Sequence, residues 1–162
     1  MNKTAEFDAS SFIIERIDHQ TKKTAQRIYS VFQRSYSVEA ELLGVTSFPP
    51  LLNTVQDISN RKTDFYGYWQ DRELAAVAEL DISTELVDIC SFVVDPAFFR
   101  QGVGSRLLDA VLAHFPDRDK VVETGVDNHP AIALYKKKGF REESRWLTEI
   151  GIAKIRLTMA KA

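Results

Sequence analysis

Between Phe65 and Val94 the apolar residues leave helical spacing and gather into three runs: FYGYW (Phe65–Trp69), LAAVAELDI (Leu74–Ile82) and LVDICSFVV (Leu86–Val94). Short runs rich in β-branched and aromatic residues read as strands. The connectors QDRE and STE are far too short for a crossover between parallel strands, so the three runs predict antiparallel hairpins. This meander is the strongest constraint on the fold.

Ahead of it, FIIERI (Phe12–Ile17) reads as a strand, and Ala25, Ile28, Val31 and Phe32 recur at helical spacing between Thr21 and Tyr36. SVEAELLG then predicts a second, separate helix with Ser37 as N-cap and Gly44 as its stop. SFPPLL breaks the pattern, since two prolines cannot sit inside a helix, and Thr54–Ser59 fits a brief helical segment. After the meander, Val103, Leu107, Leu108, Val111, Leu112 and Phe115 form one helical stripe. KVVETGV (Lys120–Val126) is a strand. The helix over Asn128–Lys138 has a cap at Asp127 or Asn128, Pro130 in its first turn, three lysines at its end and Gly139 as its stop. FREESRWLTEI and IAKIRLTMA are a final strand pair. The order β α α β β β α β α β β predicts one α/β domain over 1–162, a mixed sheet with helices, preceded by a loose polar lead-in at residues 1–11.

A net charge of −2 gives no electrostatic footprint for nucleic acid or an anionic membrane. The N-terminal residues contain no apolar run long enough for a signal peptide or a membrane span. The lone Cys90 cannot form an internal disulfide and, lying in an apolar run, is expected to be a small buried hydrophobe; a reducing cytoplasm is the default setting. His19, His114 and His129 have no metal-ligand spacing, and no metal is expected.

Gly102 and Gly104 in FRQGVGS stand where the third meander strand gives way to a helix. The first N–H groups of a helix lack internal partners and carry partial positive charge, and glycine lets a bulky anion approach the main chain. The stretch therefore reads either as a phosphate cradle or as a glycine-rich turn with no ligand. It is not a dinucleotide fingerprint, whose third glycine falls at Leu107, nor a Walker loop, because Ser105 and Arg106 follow Gly104.

A second segment, NHPAIALYKKKGF (Asn128–Phe140), follows the next strand. Together with VVDPAFFRQGVGSRLL it resembles the paired motifs of the GNAT superfamily of acetyl-CoA-dependent N-acetyltransferases, over about residues 86–141. One signature position departs: Phe99 stands where Arg or Gln is usual, with arginine displaced to Arg100. The resemblance implies a mixed, mostly antiparallel sheet of about seven strands with helices on both faces. It implies acetyl-CoA as co-substrate: Val93 and Val94 offering main-chain groups to the pantetheine arm, Arg100, Gln101, Gly102, Val103, Gly104 and Ser105 around the pyrophosphate, and Asn128 near the pantetheine. It places Tyr135 where the leaving thiolate is commonly protonated.

Acylating an amine with a thioester needs a neutral amine, a polarised carbonyl and protonation of the departing sulfur. Direct attack needs no protein nucleophile, which suits a chain without a Ser-His-Asp or Cys-His pattern. Tyr135 has the phenolic donor, although by residue type it also reads as a core aromatic beside Leu134. Glu123, on VVETGV, resembles the position of the base in the ribosomal-protein N-terminal acetyltransferases of the superfamily, and equally reads as a solvent-facing residue. Asp88, Glu79 or a water wire compete with it. In this family the acceptor is bound by the first helices and the C-terminal strands, which implies Tyr36, Glu39, Glu41 and Trp146, with Phe48 and Leu147, for a small-molecule or peptide amine. A homodimer is compatible with these features. A non-catalytic CoA-binding sensor on the same fold is the alternative.

Overall fold

The computed structural model describes residues 11–162; most of the lead-in lies outside the described residues. Seven strands form one sheet in the order β1-β2-β3-β4-β5-β7-β6: β1 (Phe12–Ile17), β2 (Asp64–Gln70), β3 (Glu73–Ile82), β4 (Leu86–Val94), β5 (Asp119–Gly125), β6 (Arg141–Leu147) and β7 (Ala153–Met159). Every neighbouring pair is antiparallel except β4 with β5. The helices are α1 (Lys22–Leu43), α2 (Val55–Ser59), α3 (Val103–His114) and α4 (His129–Lys137).

The meander is as expected, and its central strand divides its side chains between two cores. Val77 packs with Ile28, Val31 and Phe32 of α1, whereas Ala76 and Ala78 pack with Leu107, Leu108 and Val111 of α3. This follows from the strand's period of two: successive side chains point to opposite faces. One helix on each face therefore buries a run of seven residues, Leu74–Leu80.

The region read as two helices is one. α1 starts at Thr21, whose side chain accepts the Thr24 N–H, and ends at Gly44 with φ +66°. Ser37 is inside it, not at a cap: its hydroxyl donates to the Gln33 carbonyl at 2.6 Å, a back-bond that satisfies serine mid-helix. No glycine or proline interrupts Lys22–Leu43, and Tyr36 and Ala40 continue the buried stripe. α2 is the expected short segment, held by a reciprocal capping box between Thr54 and Asp57. The Pro49–Leu52 stretch is a single 3-10 turn.

The decisive feature for function lies between β4 and β5. Their ladder runs from Leu86–Asp119 to Ile89–Val122 and stops, although β4 continues to Val94 and β5 to Gly125. Beyond that point the two strands part. Cys90 sits at this parting as the extra, unpaired residue of a bulge in β4, between Ile89 opposite Leu80 and Ser91 opposite Glu79. It is exposed, not buried: the neighbouring strand that would cover it has moved away. Its thiol is nonetheless pushed up to about 12, first by desolvation and then by the negative charges of Asp88 and Glu79.

Candidate active site

The parted strands open a cleft of about 610 Å³. Its walls come from α1 (Tyr36, Glu39, Leu43), β4 (Ile89–Phe92), β5 (Val122–Gly125) and α4 (Ala131, Tyr135), with Asn128 at the α4 N-terminus. Phe48–Pro50 and the β6–β7 loop, Thr148–Ile150 with Ile152, complete the rim.

The glycines have local reasons and stand beside this cleft, none of Arg100–Ser105 being among its lining residues. Gly102 caps α3 with φ +73°, a left-handed conformation that suits glycine. A Cβ on Gly104 would meet Val94 Cγ2 at 3.2 Å and Phe92 Cε1 at 3.7 Å, so its bareness lets α3 pack directly on β4. Phe92 also lines the cleft, which puts the α3 N-terminus at the cleft's β4 end. The first intrahelical bond there is Arg106 N–H to Gly102 O, leaving the N–H groups of Val103, Gly104 and Ser105 without helical acceptors. Arg100 precedes the turn with φ +62°, a strained state worth about 1 kcal/mol for a residue with a Cβ. Arg106 fixes the turn by donating to Gln101 O at 2.7 Å while its guanidinium lies over Phe12 and Tyr68. Nothing local singles out Arg106, because its role depends on β1 and β2 lying beside α3.

Tyr135 is 3% exposed and lines the cleft, edge-on to Phe92 with ring centroids 6.1 Å apart. Burial raises its pKa well above the phenol range, with the Glu39 charge and Tyr36 adding to the rise, so it stays a loaded O–H donor. Tyr36 is raised in the same way, chiefly by burial, and a hydrogen bond with Ser91 opposes this. Glu39 reaches the cleft from α1. Thr124 Oγ1 donates to its Oε1 at 3.4 Å, and Asn128 Nδ2 donates to Thr124 Oγ1 at 3.1 Å. Desolvation raises the Glu39 pKa, offset in part by the Asn128 and Thr124 hydrogen bonds and by Lys154.

The remaining carboxylates are placed differently. Glu123 lines the cleft but is ion-paired with Arg156 at 2.9 Å, its side chain 38% exposed. Glu79 is 3% exposed and accepts from Arg61 Nη1 at 2.6 Å, Thr63 Oγ1 at 2.8 Å and Ser91 Oγ at 2.9 Å. Asp88 is outside the lining, with its pKa raised by desolvation and then by the Glu123 charge.

The structure thus brings together Tyr36, Glu39, Glu123, Asn128 and Tyr135 at one cleft. Glu41 and Trp146 are not among its lining residues; Glu41 is exposed on α1 and Trp146 is 37% exposed on β6. Val93 points into the α1-side core, leaving only its main chain for the cleft side. Sequence reasoning missed Thr124, Ser91 and Lys154, whereas the C-terminal stretch SRWLTEI implied for the acceptor does contain Thr148–Ile150 of the rim. Thr124 had a signal, since period two from the apolar Val122 puts it on the same face.

A family model described as acetyltransferase (GNAT) family matches residues 25–140, and the chain belongs to that family. It is 34% identical over 131 residues to the UPF0157 protein YqkA of Bacillus subtilis (strain 168), covering 80% of this chain and 38% of that protein. It is 33% identical over 75 residues to the [ribosomal protein bS18]-alanine N-acetyltransferase of Salmonella typhimurium, covering 44% of this chain and 51% of that enzyme. The matches therefore span about half or less of these relatives' lengths. The crystal structure of a PaiA N-acetyltransferase from Thermoplasma acidophilum in complex with coenzyme A superposes with a TM-score of 0.72 at 15% identity, covering 94% of this chain and 99% of that one. The seven-stranded, mostly antiparallel mixed sheet is the fold of these acetyltransferases. No helix among the described residues is long and apolar enough to cross a membrane.

Proposed function

We propose that this protein transfers the acetyl group of acetyl-CoA to the primary amine of a small molecule or peptide, by direct attack within the β4–β5 cleft. The observation that carries the reading is the parting of the strands after Ile89 and Val122, beside a buried tyrosine and the N-terminus of α3. The residues present fit the co-substrate. Beyond Ile89, β4 has no ladder partner on its β5 side, so the main chain of Val93 and Val94 can hold an amide-bearing arm. Arg100, Gln101, Gly102, Val103, Gly104 and Ser105 form a left-handed turn and helix start suited to a pyrophosphate. Asn128 lines the cleft at the α4 N-terminus, its side chain held by Thr124 and the Ala131 N–H, and would meet the same arm.

Bound acetyl-CoA supplies an activated thioester carbonyl. Tyr135 holds a proton for the departing sulfur. The apolar wall of Phe92, Ile89 and Val122 excludes water from the carbonyl. The bS18-alanine N-acetyltransferase relative supports a peptide N-terminus as one acceptor class. The test is calorimetry with CoA, followed by acetyl transfer from acetyl-CoA to a panel of small amines and short peptides. Binding with turnover supports the enzyme. Binding without turnover to any amine leaves a CoA-binding module, and no binding removes the reading.

A further inference from the structure

We infer that Glu39 on α1, rather than Glu123 on β5, takes the proton of the acceptor's ammonium. The inference rests on the acetyl-transfer reading above. Both carboxylates line the cleft, but their surroundings differ. Glu123 is held by the Arg156 guanidinium at 2.9 Å, and Arg156 also reaches Glu143 at 3.5 Å. That pairing already gives Glu123 the cation that an ammonium would otherwise bring. Glu39 has no salt-bridge partner among the described residues. Its hydrogen-bonding neighbours, Thr124 and Asn128, are neutral: they aim the carboxylate without satisfying its charge. An entering ammonium supplies the missing cation.

The charged group that acts on Glu39 is Lys154 on β7, and the Glu39 charge in turn raises Tyr36 on its own helix and Tyr135 on α4. Cys90, Glu123 and Glu149 share the cleft lining. Burial outweighs the Lys154 charge, so the carboxyl is raised above its ordinary value.

The proton balance closes on the chain's own groups. Glu39 takes one proton from the ammonium, freeing the lone pair that forms the N–C bond. The C–S bond breaks with its electron pair on sulfur, and Tyr135 gives that sulfur its phenolic proton. The second proton shed by nitrogen replaces the one Tyr135 gave, and Glu39 releases its own to solvent, so one proton leaves per turnover.

The test pairs kinetics with a readout independent of turnover. The probes are acetyl-CoA with phenethylamine, spermidine and an alanine-initiated tetrapeptide. Glu39→Gln is expected to lower kcat/KM at neutral pH by about 100-fold, with the rate recovering about tenfold per pH unit as free amine accumulates. Glu39→Asp recovers part of the loss, and Glu123→Gln costs less than Glu39→Gln and keeps the shape of the parent's pH profile. In 13C NMR the Glu39 carboxyl, assigned by its loss in Glu39→Gln, titrates above the ordinary glutamate value and shifts when phenethylammonium is added. A Glu39→Gln pH profile matching the parent, or a Glu39 resonance that titrates normally and ignores the ammonium, overturns the inference. If CoA binds but no probe is acetylated, the ammonium-induced shift alone decides. If CoA does not bind the parent protein, the reading of the cleft fails first and the role of Glu39 fails with it.

Discussion

β3 and β6 belong to one sheet and live in opposite environments. β3 has seven consecutive buried residues, because α1 covers one face and α3 the other. β6 is exposed at every position: it is one of the sheet's two edges and pairs only with β7. The same residue type is treated differently in each. Glu79 on β3 is 3% exposed and has three donors to balance its charge. Glu142 on β6 is paired with Arg145 on the same strand, in solvent. The cleft lies on the boundary between these two halves. One wall, β4, is fixed by the closed core, while the rim contributed by the β6–β7 loop is attached to the open half. That division suits a fixed co-substrate facing a variable acceptor.

The largest expected effect tests the closed half. Glu79→Ala leaves the Arg61 guanidinium, 26% exposed, without its carboxylate and strands the Thr63 and Ser91 hydroxyls. Removing one member of a buried pair costs about 3–5 kcal/mol, so denaturant unfolding should show a loss of that size. Glu142→Ala should stay within about 0.5 kcal/mol of the parent. Equal losses in the two variants would erase the contrast between β3 and β6.

Next comes the phenol at the boundary. Tyr135→Phe keeps the ring against Phe92 and Phe140 and deletes the donor. Turnover should fall by about 100-fold, about 2.7 kcal/mol in the barrier, with acetyl-CoA binding little changed. Unchanged turnover would make Tyr135 a packing residue.

Gly104→Asp probes the α3 end of the cleft. Its Cβ must press on Val94 Cγ2 at 3.2 Å, and its carboxylate opposes an incoming phosphate. CoA affinity by calorimetry should drop by more than about tenfold, at least about 1.4 kcal/mol. The fold should survive, since an acidic residue in a first helical turn is favourable.

The smallest effect is a pH-dependent one in stability. The Glu39 carboxyl is raised in the folded state, so the fold binds its proton more tightly than the unfolded chain does. Its contribution is favourable below the unfolded value and is lost as pH rises through the folded value. Glu39→Gln should therefore have a Tm above the parent at pH 8, with the gap closing toward acid pH. A gap that widens on acidification would reverse the sign of the Glu39 shift.

The meander, the α3 stripe and the capped α4 were legible in the sequence because each depends on local periodicity and local caps. Ser37 misled because serine caps a helix and back-bonds inside one with the same hydroxyl; only the uninterrupted stripe through Ala40 decides between them. Cys90 misled for a different reason. Its exposure follows from two strands parting, and nothing in either strand's own sequence marks where a ladder ends. The lining of the candidate site was legible where a motif names a residue, as at Asn128 and Tyr135. It was not legible where long-range packing decides, as in the Arg156 grip on Glu123 or the placement of Trp146 away from the cleft.

The most direct test of the central claim is hydrogen exchange with and without CoA. The account predicts that CoA protects the amides of residues 90–94, where β4 has no β5 partner, and of residues 102–105 at the start of α3, with little change in β1, β2 or β6. Protection confined to other segments, or no protection at a concentration that saturates calorimetric binding, would contradict a co-substrate held between β4 and β5.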